Sequence, residues 1–344
     1  MFKKISYSKV KIDAERSIRD AMILLNKINE RFLIVLNEEK KLLGTVTDGD
    51  IRRAMLKNTD IDKQVIFCMN KKPIFTYENH KNKNSLFKKM KSTTRFLPII
   101  NKKKKILFIL VDDKTEIEKA ALILAGGFGT RLGKMTKNTP KPLLKIGKKP
   151  LLEIILQKLE SAEYKNIYIS THYLHEKIKK FLIKRKSIAN IKIIHESKAL
   201  GTAGSISRIK DINLDFLTVI NGDVISEINL NALNEFHLEK KFDLTLTVAE
   251  FSTKIPFGVV DLNNNFKFKS LKEKPIKKYF VLSGIYCLSK NICDLVSEGY
   301  IDMPELIDYA KKLGFKIGVF PIYEYWNDIG TPKSLIKEIK RIKN

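Results

Sequence analysis

Cysteine is scarce in this chain. Three occur in 344 residues, Cys68, Cys287 and Cys293, and none forms a CxxC pair. An odd number at such wide spacing argues against a disulfide frame or a zinc site and for reduced, buried thiols. Long apolar runs are missing as well. Ala120 to Ala125 is the longest clean one near a motif, far short of the roughly 20 residues that cross a bilayer. The opening MFKKISYSKVKIDAERS has two early lysines but no apolar stretch behind them, so it does not read as a secretory leader. A cytoplasmic protein with no membrane partner is expected. Acidic residues are short too, 38 against 65 Lys and Arg, for a formal net charge of +27. A basic surface of that size can meet nucleic acid or anionic metabolites. The excess is lysine scattered through every segment, alongside many Asn and Ile. Only Lys102 to Lys105 forms a dense run, in a turn between two strands. That distribution favours a compositional bias, and nucleic acid is the weaker candidate partner.

What is present is core-forming material. Hydrophobic residues make up 44% of the sequence and are spread along it, and the length predicts two domains. An internal repeat marks the first. RFLIVLNEEKKLLGTVTD, Arg31 to Asp48, lies over RFLPIINKKKKILFILVD, Arg95 to Asp112, at an offset of 64 residues with eight of 18 positions identical. Each copy reads as two short strands around a charged turn. Each follows a helix-like stretch, SIRDAMILLNK or NSLFKKMKS. Neither unit would bury its apolar surface alone, so the two are expected to pack face to face. From Ala121 onward the rhythm changes. Apolar runs such as ALILA, NIYIST, IKIIHE and FLTVINGD alternate with helical stretches, which predicts βα units and a mainly parallel sheet. DLTLTVAE, GVVDL and YFVLSGIYCLS then suggest a mixed extension. The expected boundaries are 1–118 and 119–344.

The first strand of the second domain ends in Leu124 and Ala125 and runs into Gly126, Gly127, Phe128, Gly129, Thr130 and Arg131. A glycine turn there lies at the carboxyl edge of a parallel sheet, where open α/β folds bind ligands. Its backbone N–H groups can approach phosphate oxygens, and Arg131 adds fixed charge and a planar donor fork. A tight turn with no ligand would look the same. Two common phosphate motifs fail by inspection, because position 132 is Leu where both the kinase-type P-loop and the dinucleotide fingerprint need glycine.

LAGGFGTRL with TPKPLLKIGKKPLLE closely resembles the sugar-1-phosphate nucleotidyltransferases. The resemblance runs from Lys119 to about Lys337 through ESKALGTAGSI, NGDV, GVV, EKP, SGIYCL and YWNDIGTP, in order. It implies a Rossmann-like, mixed but mainly parallel sheet, with transfer of a nucleotidyl group from a nucleoside triphosphate to a sugar 1-phosphate. By that resemblance Arg131 binds the leaving phosphates, Lys141 bridges the reacting ones, and Asp223 and Asp328 share one Mg²⁺. Leu124, Ala125, Gly126, Gly127, Gly129, Thr130, Glu196, Gly201 and Thr202 are implied at the nucleotide. Gly258, Glu273, Lys274, Ser283 and Gly284 are implied at the sugar phosphate. The chain departs from the family at Lys134-Met135-Thr136, where Pro-Leu-Thr is common, and at Ser283, where Asn is common, which leaves the sugar open. A carboxylate at Glu196 could accept two donors from guanine, which points to GTP, although a salt-bridged surface Glu would read alike. UTP, dTTP or CTP remain alternatives, as does a silent sugar-nucleotide sensor.

The N-terminal repeat resembles a tandem pair of cystathionine β-synthase (CBS) domains, carried by Gly44, Thr47 and Asp50 in GTVTDGD before IRRAML. In such modules the Thr and Asp hold an adenosine nucleotide effector. The second copy has Phe108, Val111 and Lys114 at those positions, so one asymmetric site is expected. A pairing platform that binds nothing fits equally, and a homo-oligomer is expected. A CBS pair before such a transferase resembles the guanylyltransferases of bacterial legionaminic acid pathways, which use glucosamine 1-phosphate. Mannose-1-phosphate guanylyltransferases are the near alternative.

Overall fold

The structure, a computed structural model, describes residues 2–28, 30–57, 59–78, 96–112, 119–209 and 214–343. The chain divides into two compact units, Met1–Ile117 and Glu118–Asn344.

The first unit is built on the repeat. Strands β1 (Phe2–Ile5) and β2 (Lys11–Asp13) precede helix α1 (Ile18–Lys27). Ser17 starts that helix with a reciprocal cap, because its side chain accepts from the Asp20 amide and the Asp20 carboxylate accepts from the Ser17 amide. Ile18, Ala21 and Leu25 then fall on one buried stripe. The hairpin β3 (Phe32–Leu36) and β4 (Leu42–Thr47) follows, with helix α2 (Asp48–Leu56) after it. After the short β5 (Thr76–Tyr77), a second hairpin, β6 (Phe96–Ile100) and β7 (Ile106–Asp112), begins 64 residues after the first. The expected helix NSLFKKMKS lies outside the described residues. Phe32 and its repeat equivalent Phe96 stack at 3.8 Å between ring centroids, 7° from parallel. They close one core with Ile34, Ile100 and Ile109. The two charged turns also meet, with the Leu42 amide donating to the Lys104 carbonyl at 3.1 Å. Gly44 has a packing reason: a Cβ there would stand 2.7 Å from the Asn70 carbonyl oxygen.

The second unit is a seven-stranded sheet. Its strands are β8 (Lys119–Leu124), β11 (Asn166–Thr171), β12 (Asn190–His195), β13 (Phe216–Asn221), β15 (Leu244–Lys254), β18 (Ile276–Leu288) and β19 (Ile317–Ile322). Short pairs complete it: β9 (Lys145–Ile146) with β10 (Lys149–Pro150), and β14 (Val224–Ser226) with β20 (Trp326–Asp328). A hairpin of β16 (Val259–Leu262) and β17 (Phe268–Lys272) completes the set. The sheet order is β12-β11-β8-β13-β18-β15-β19. Only β18 runs antiparallel to its neighbours. Helices Leu151–Ser161 and His175–Lys184 carry the crossovers from β8 to β11 and from β11 to β12. Arg185 ties the first of these down with a fork to Glu153 and Glu160, both at 2.7 Å. The three cysteine thiols are free, and burial pushes each up to about 12, so they serve as packing groups. Among the described residues no helix is long and apolar enough to cross a membrane.

His237 is buried on helix Leu230–Lys240 against the Phe216 ring, with Nδ1 2.8 Å from the Thr245 hydroxyl. Burial lowers its pKa from 6.5 to about 4. The folded protein therefore binds fewer protons than the unfolded chain between those values, and stability is full above pH 6.5 and falls with pH below it. The expected loss at pH 5 is about 2 kcal/mol relative to pH 7. Urea denaturation at the two pH values checks this, and His237→Gln should flatten the difference.

Candidate active site

The site is assembled where β8 and β13 end side by side, with Asn221 in register with Leu124. Gly222 donates its amide to the Leu124 carbonyl at 2.9 Å, and a Cβ on it would lie 2.5 Å from that oxygen. Only glycine lets the chain turn that close, and the turn delivers Asp223 directly beside the glycine loop. Asp328 arrives from the far end of the chain through the antiparallel pair of β14 and β20, in which Val224 faces Asp328. The Ile329 amide donates to the Asp223 carbonyl at 2.9 Å and fixes the two segments.

Lys141 comes from the other side. Pro140 and Pro142 confine it to a single 3₁₀ turn, Lys141–Leu143, where it is buried. Its ammonium group donates to Asp223 Oδ2 and stands 4.0 Å from Asp328 Oδ1. Burial and the nearby Asp223 carboxylate raise the Asp328 carboxyl above the usual range, against the pull of Lys141 and Arg131. Asp328 Oδ1 is buried with no hydrogen-bond partner among the described residues. Two adjacent carboxylates with an unsatisfied oxygen suit a hard, oxygen-seeking cation completed by water and phosphate oxygens. Arg131 also reaches this corner, its guanidinium lying 3.2 Å from where a Cβ on Gly330 would sit. Arg131, Lys141, Asp223 and Asp328 thus converge.

The glycine loop holds its shape through Gly129, at φ +65°, and Thr136. The Thr136 hydroxyl donates to the Gly129 carbonyl at 2.9 Å, and a Cβ on Gly129 would press to 2.9 Å from the Thr136 methyl. Thr136 is the retained residue of the divergent Lys134-Met135-Thr136 stretch, so the loop survives the two changes before it. Leu124 is half-buried and Ala125 buried at the strand end, while Gly127 and Thr130 are exposed.

Glu196 is buried rather than on the surface. The Ser170 hydroxyl and the Leu200 amide, at 3.1 Å, both donate to its carboxylate. Its Oε2 is 3.7 Å from where a Cβ on Gly126 would sit, so it does border the loop. Gly201 and Thr202 lie in a segment stitched to residues 299–303. The Thr202 amide and hydroxyl donate to Asp302 Oδ1 at 2.9 and 3.0 Å. A Cβ on Gly201, at φ +78°, would meet the Ile301 carbonyl oxygen at 2.5 Å. Asp302 was not legible as a site residue, because its partner is 100 positions away and its sequence signal is that of a helix cap.

The residues implied at the sugar fall in two groups, Gly258, Glu273 and Lys274 at the exposed hairpin and Ser283 and Gly284 beside Trp326 and Asn221. Gly258 and Glu273 sit together on the exposed hairpin of β16 and β17, where a Cβ on Gly258 would be 3.0 Å from Glu273 Oε2. Lys274, at φ +44°, pairs with Glu273 at 3.8 Å. Ser283 is buried, its hydroxyl bonded to Thr247 and its carbonyl accepting from Trp326 Nε1 at 2.8 Å. Gly284, at φ +78°, lets Asn221 approach, with a Cβ there only 2.7 Å from Asn221 Nδ2. In the first unit Thr47 and Asp50 form a reciprocal cap at the start of α2, and Asp50 also accepts from Arg53 at 2.6 Å.

The second unit is similar to known proteins. The family described as Nucleotidyl transferase matches residues 120–344. The chain belongs to that family. The CBS domain family matches residues 4–57. The bifunctional protein GlmU of Methanocaldococcus jannaschii is 34% identical over 227 residues, 64% of this chain and 53% of that protein. The mannose-1-phosphate guanylyltransferase catalytic subunit beta of Drosophila melanogaster is 29% identical over 223 residues, 63% of this chain and 60% of that one. The chain therefore spans little more than half the length of these relatives. Among solved structures, HddC from Yersinia pseudotuberculosis complexed with GMP-PN is 29% identical at a TM-score of 0.53. That match covers 65% of this chain and 99% of that one.

Asp302 caps helix Met303–Lys312 and holds the loop at Thr202, whose amide keeps its carboxyl below the usual range. Asp302→Ala should cost about 1–2 kcal/mol, the usual loss of a helix N-cap. It should also speed hydrogen exchange at the Thr202 amide. Chemical denaturation and exchange mass spectrometry check the two effects.

Proposed function

We propose that this chain joins a nucleoside triphosphate, GTP, to a sugar 1-phosphate and releases pyrophosphate. The observation that carries the reading is the cluster of Lys141, Asp223 and Asp328 beneath the glycine loop, with Arg131 at its rim. A sugar phosphate oxygen attacks the α-phosphorus in line, and negative charge spreads over the reacting phosphates. Lys141 is buried at that point and bridges the attacking and receiving phosphates. Arg131 meets the departing pyrophosphate, and loop amides from Gly126 to Gly129 receive the remaining oxygens. Asp223 and Asp328 would hold Mg²⁺, which when bound neutralises phosphate charge.

For the base, support comes from Glu196, fixed beside Gly126 by Ser170 and Leu200, and from the likeness to a structure carrying GMP-PN. For the sugar, glucosamine 1-phosphate is the preferred acceptor, with mannose 1-phosphate the alternative. Gly258, Glu273 and Lys274 are its proposed contacts. The N-terminal CBS domain offers Thr47 and Asp50, at the amino end of α2, to an adenosine nucleotide effector.

Purified protein incubated with each triphosphate, Mg²⁺ and a panel of hexose and aminohexose 1-phosphates should yield pyrophosphate with GTP above the other bases. Silence with every pair would end the enzymatic reading. Lys141→Ala should slow turnover by on the order of 10²–10³, as does loss of one donor at a developing charge. Chelation by EDTA should stop the reaction, and added Mg²⁺ should restore it.

A further inference from the structure

Strand β20 presents a different chemistry on each of its faces, because side chains along a strand alternate with a period of two. Trp326 and Asp328 face the candidate site. Asp328 Oδ1 stands 4.0 Å from the Lys141 ammonium, and Trp326 Nε1 donates to the Ser283 carbonyl at 2.8 Å. Tyr325, just before the strand, and Asn327 within it point the other way, onto helix Pro332–Lys343. Both end on one group. The Tyr325 hydroxyl and the Asn327 side-chain amide, the latter at 3.1 Å, donate to Oε2 of Glu338, which is fully buried.

The Glu338 carboxylate is itself held. Arg341, three residues further along the helix, donates from Nε to Glu338 Oε1 at 2.9 Å, and its guanidinium lies 3.9 Å from the centre of the Tyr325 ring. The same guanidinium reaches Glu227 at 2.8 Å, and the Glu227 amide donates to the Tyr325 carbonyl at 2.8 Å. Glu227 follows β14 as Asp223 precedes it, so the circuit closes on the strand that pairs with β20. Burial and the Glu338 carboxylate push the Tyr325 hydroxyl up to about 12, and it remains a donor. Ile329, Gly330 and Thr331 alone separate Asp328 from the helix, whose start is fixed by reciprocal bonds between Thr331 and Ser334 at 3.0 and 3.2 Å. Burying a carboxylate is costly, and an apolar side chain of similar volume would often serve packing as well or better. A carboxylate that fixes the direction of two donors has another use.

We propose that Glu338 is a positioning residue for Asp328: by gripping residues 325 and 327 together it fixes the rotation of β20 and so the direction in which Asp328 meets the cation. The inference rests on the reading of Asp223 and Asp328 as the Mg²⁺ ligands. Glu338 acts through the backbone. Its two partners straddle Trp326, and Asn327 adjoins Asp328, so a turn of the strand about its own axis, which would swing Asp328 away from Asp223, has to break both bonds to Glu338. The bond from the Ile329 amide to the Asp223 carbonyl holds the far end of the strand. Glu338 holds the near end.

Mn²⁺, standing in for Mg²⁺, is titrated into the full chain without nucleotide, and free Mn²⁺ is read by electron paramagnetic resonance. Glu338→Leu should weaken binding roughly 10-fold, as does loss of a group that orients a metal ligand. Glu338→Gln, which keeps an acceptor oxygen for Tyr325 and Asn327, should recover most of that loss. Tyr325→Phe releases one grip and keeps the ring, so it should weaken binding in the same direction and by less. Leu335→Ala hollows the buried side of the same helix; it should lower the urea midpoint and leave Mn²⁺ affinity unchanged, which separates positioning from stability. Asp328→Asn should remove binding. Unaltered affinity in Glu338→Leu or Tyr325→Phe, or a Glu338→Gln or Leu335→Ala chain as weak as Glu338→Leu, would overturn the role of Glu338 and leave the cation reading standing. Mn²⁺ binding that is absent from the unaltered chain, or indifferent to Asp328→Asn, would overturn both.

Discussion

The second unit depends on one close approach, the backbone contact between Gly222 and Leu124 where two parallel strands end together. Every charged group of the candidate site is placed relative to it. The strand that carries Asp223 must leave the sheet at that point, and it leaves as β14, which recruits β20 and with it Asp328 from more than 100 residues away. Lys141 then sits between the carboxylates. A bulkier residue at 222 would lift the turn off Leu124 and separate Asp223 from the loop that is to hold the phosphates. The fold thus converts a steric requirement into an electrostatic arrangement.

That arrangement is incomplete by itself. Lys141 and Arg131 face two carboxylates, yet one buried oxygen of Asp328 has no hydrogen-bond partner among the described residues. A buried polar atom left unpaired costs about 1–3 kcal/mol, so the corner suits a group that supplies the missing contact. At Arg185, by contrast, one guanidinium donates to Glu153 and Glu160 together and closes the pair.

Much of this was legible in the sequence, and for physical reasons. The glycine loop, the strand end at Asp223 and the β-α alternation are local, because a strand, a turn and a helix announce themselves within a dozen residues. The repeat offset located both hairpins of the first unit, since identical spacing imposes identical register. What was not legible depends on distant partners. Asp302 looks like a helix cap and also holds Thr202. Glu196 could have been a surface carboxylate but is buried, one oxygen accepting from Ser170 and the other from Leu200. Ser283, implied at the sugar, is buried with its hydroxyl bonded to Thr247.

The exposed hairpin of β16 and β17 shows the same limit from the other side. In the sequence, FGVVDLNNNFKFKSLKEKP reads as an ordinary hairpin with Asn at the turn, and its alternation satisfies the rule for a strand with one buried face. The rule fixes which side chains share a face and is silent on what covers it. Among the described residues of this unit these side chains stay exposed, although Glu250 and Lys278 cross-link the ladder of β15 and β18 at 3.0 Å and the Asp261 carboxylate accepts from Ser270 at 2.8 Å. These polar pairs fix the internal register of ladder and hairpin while the aromatic groups stay in water.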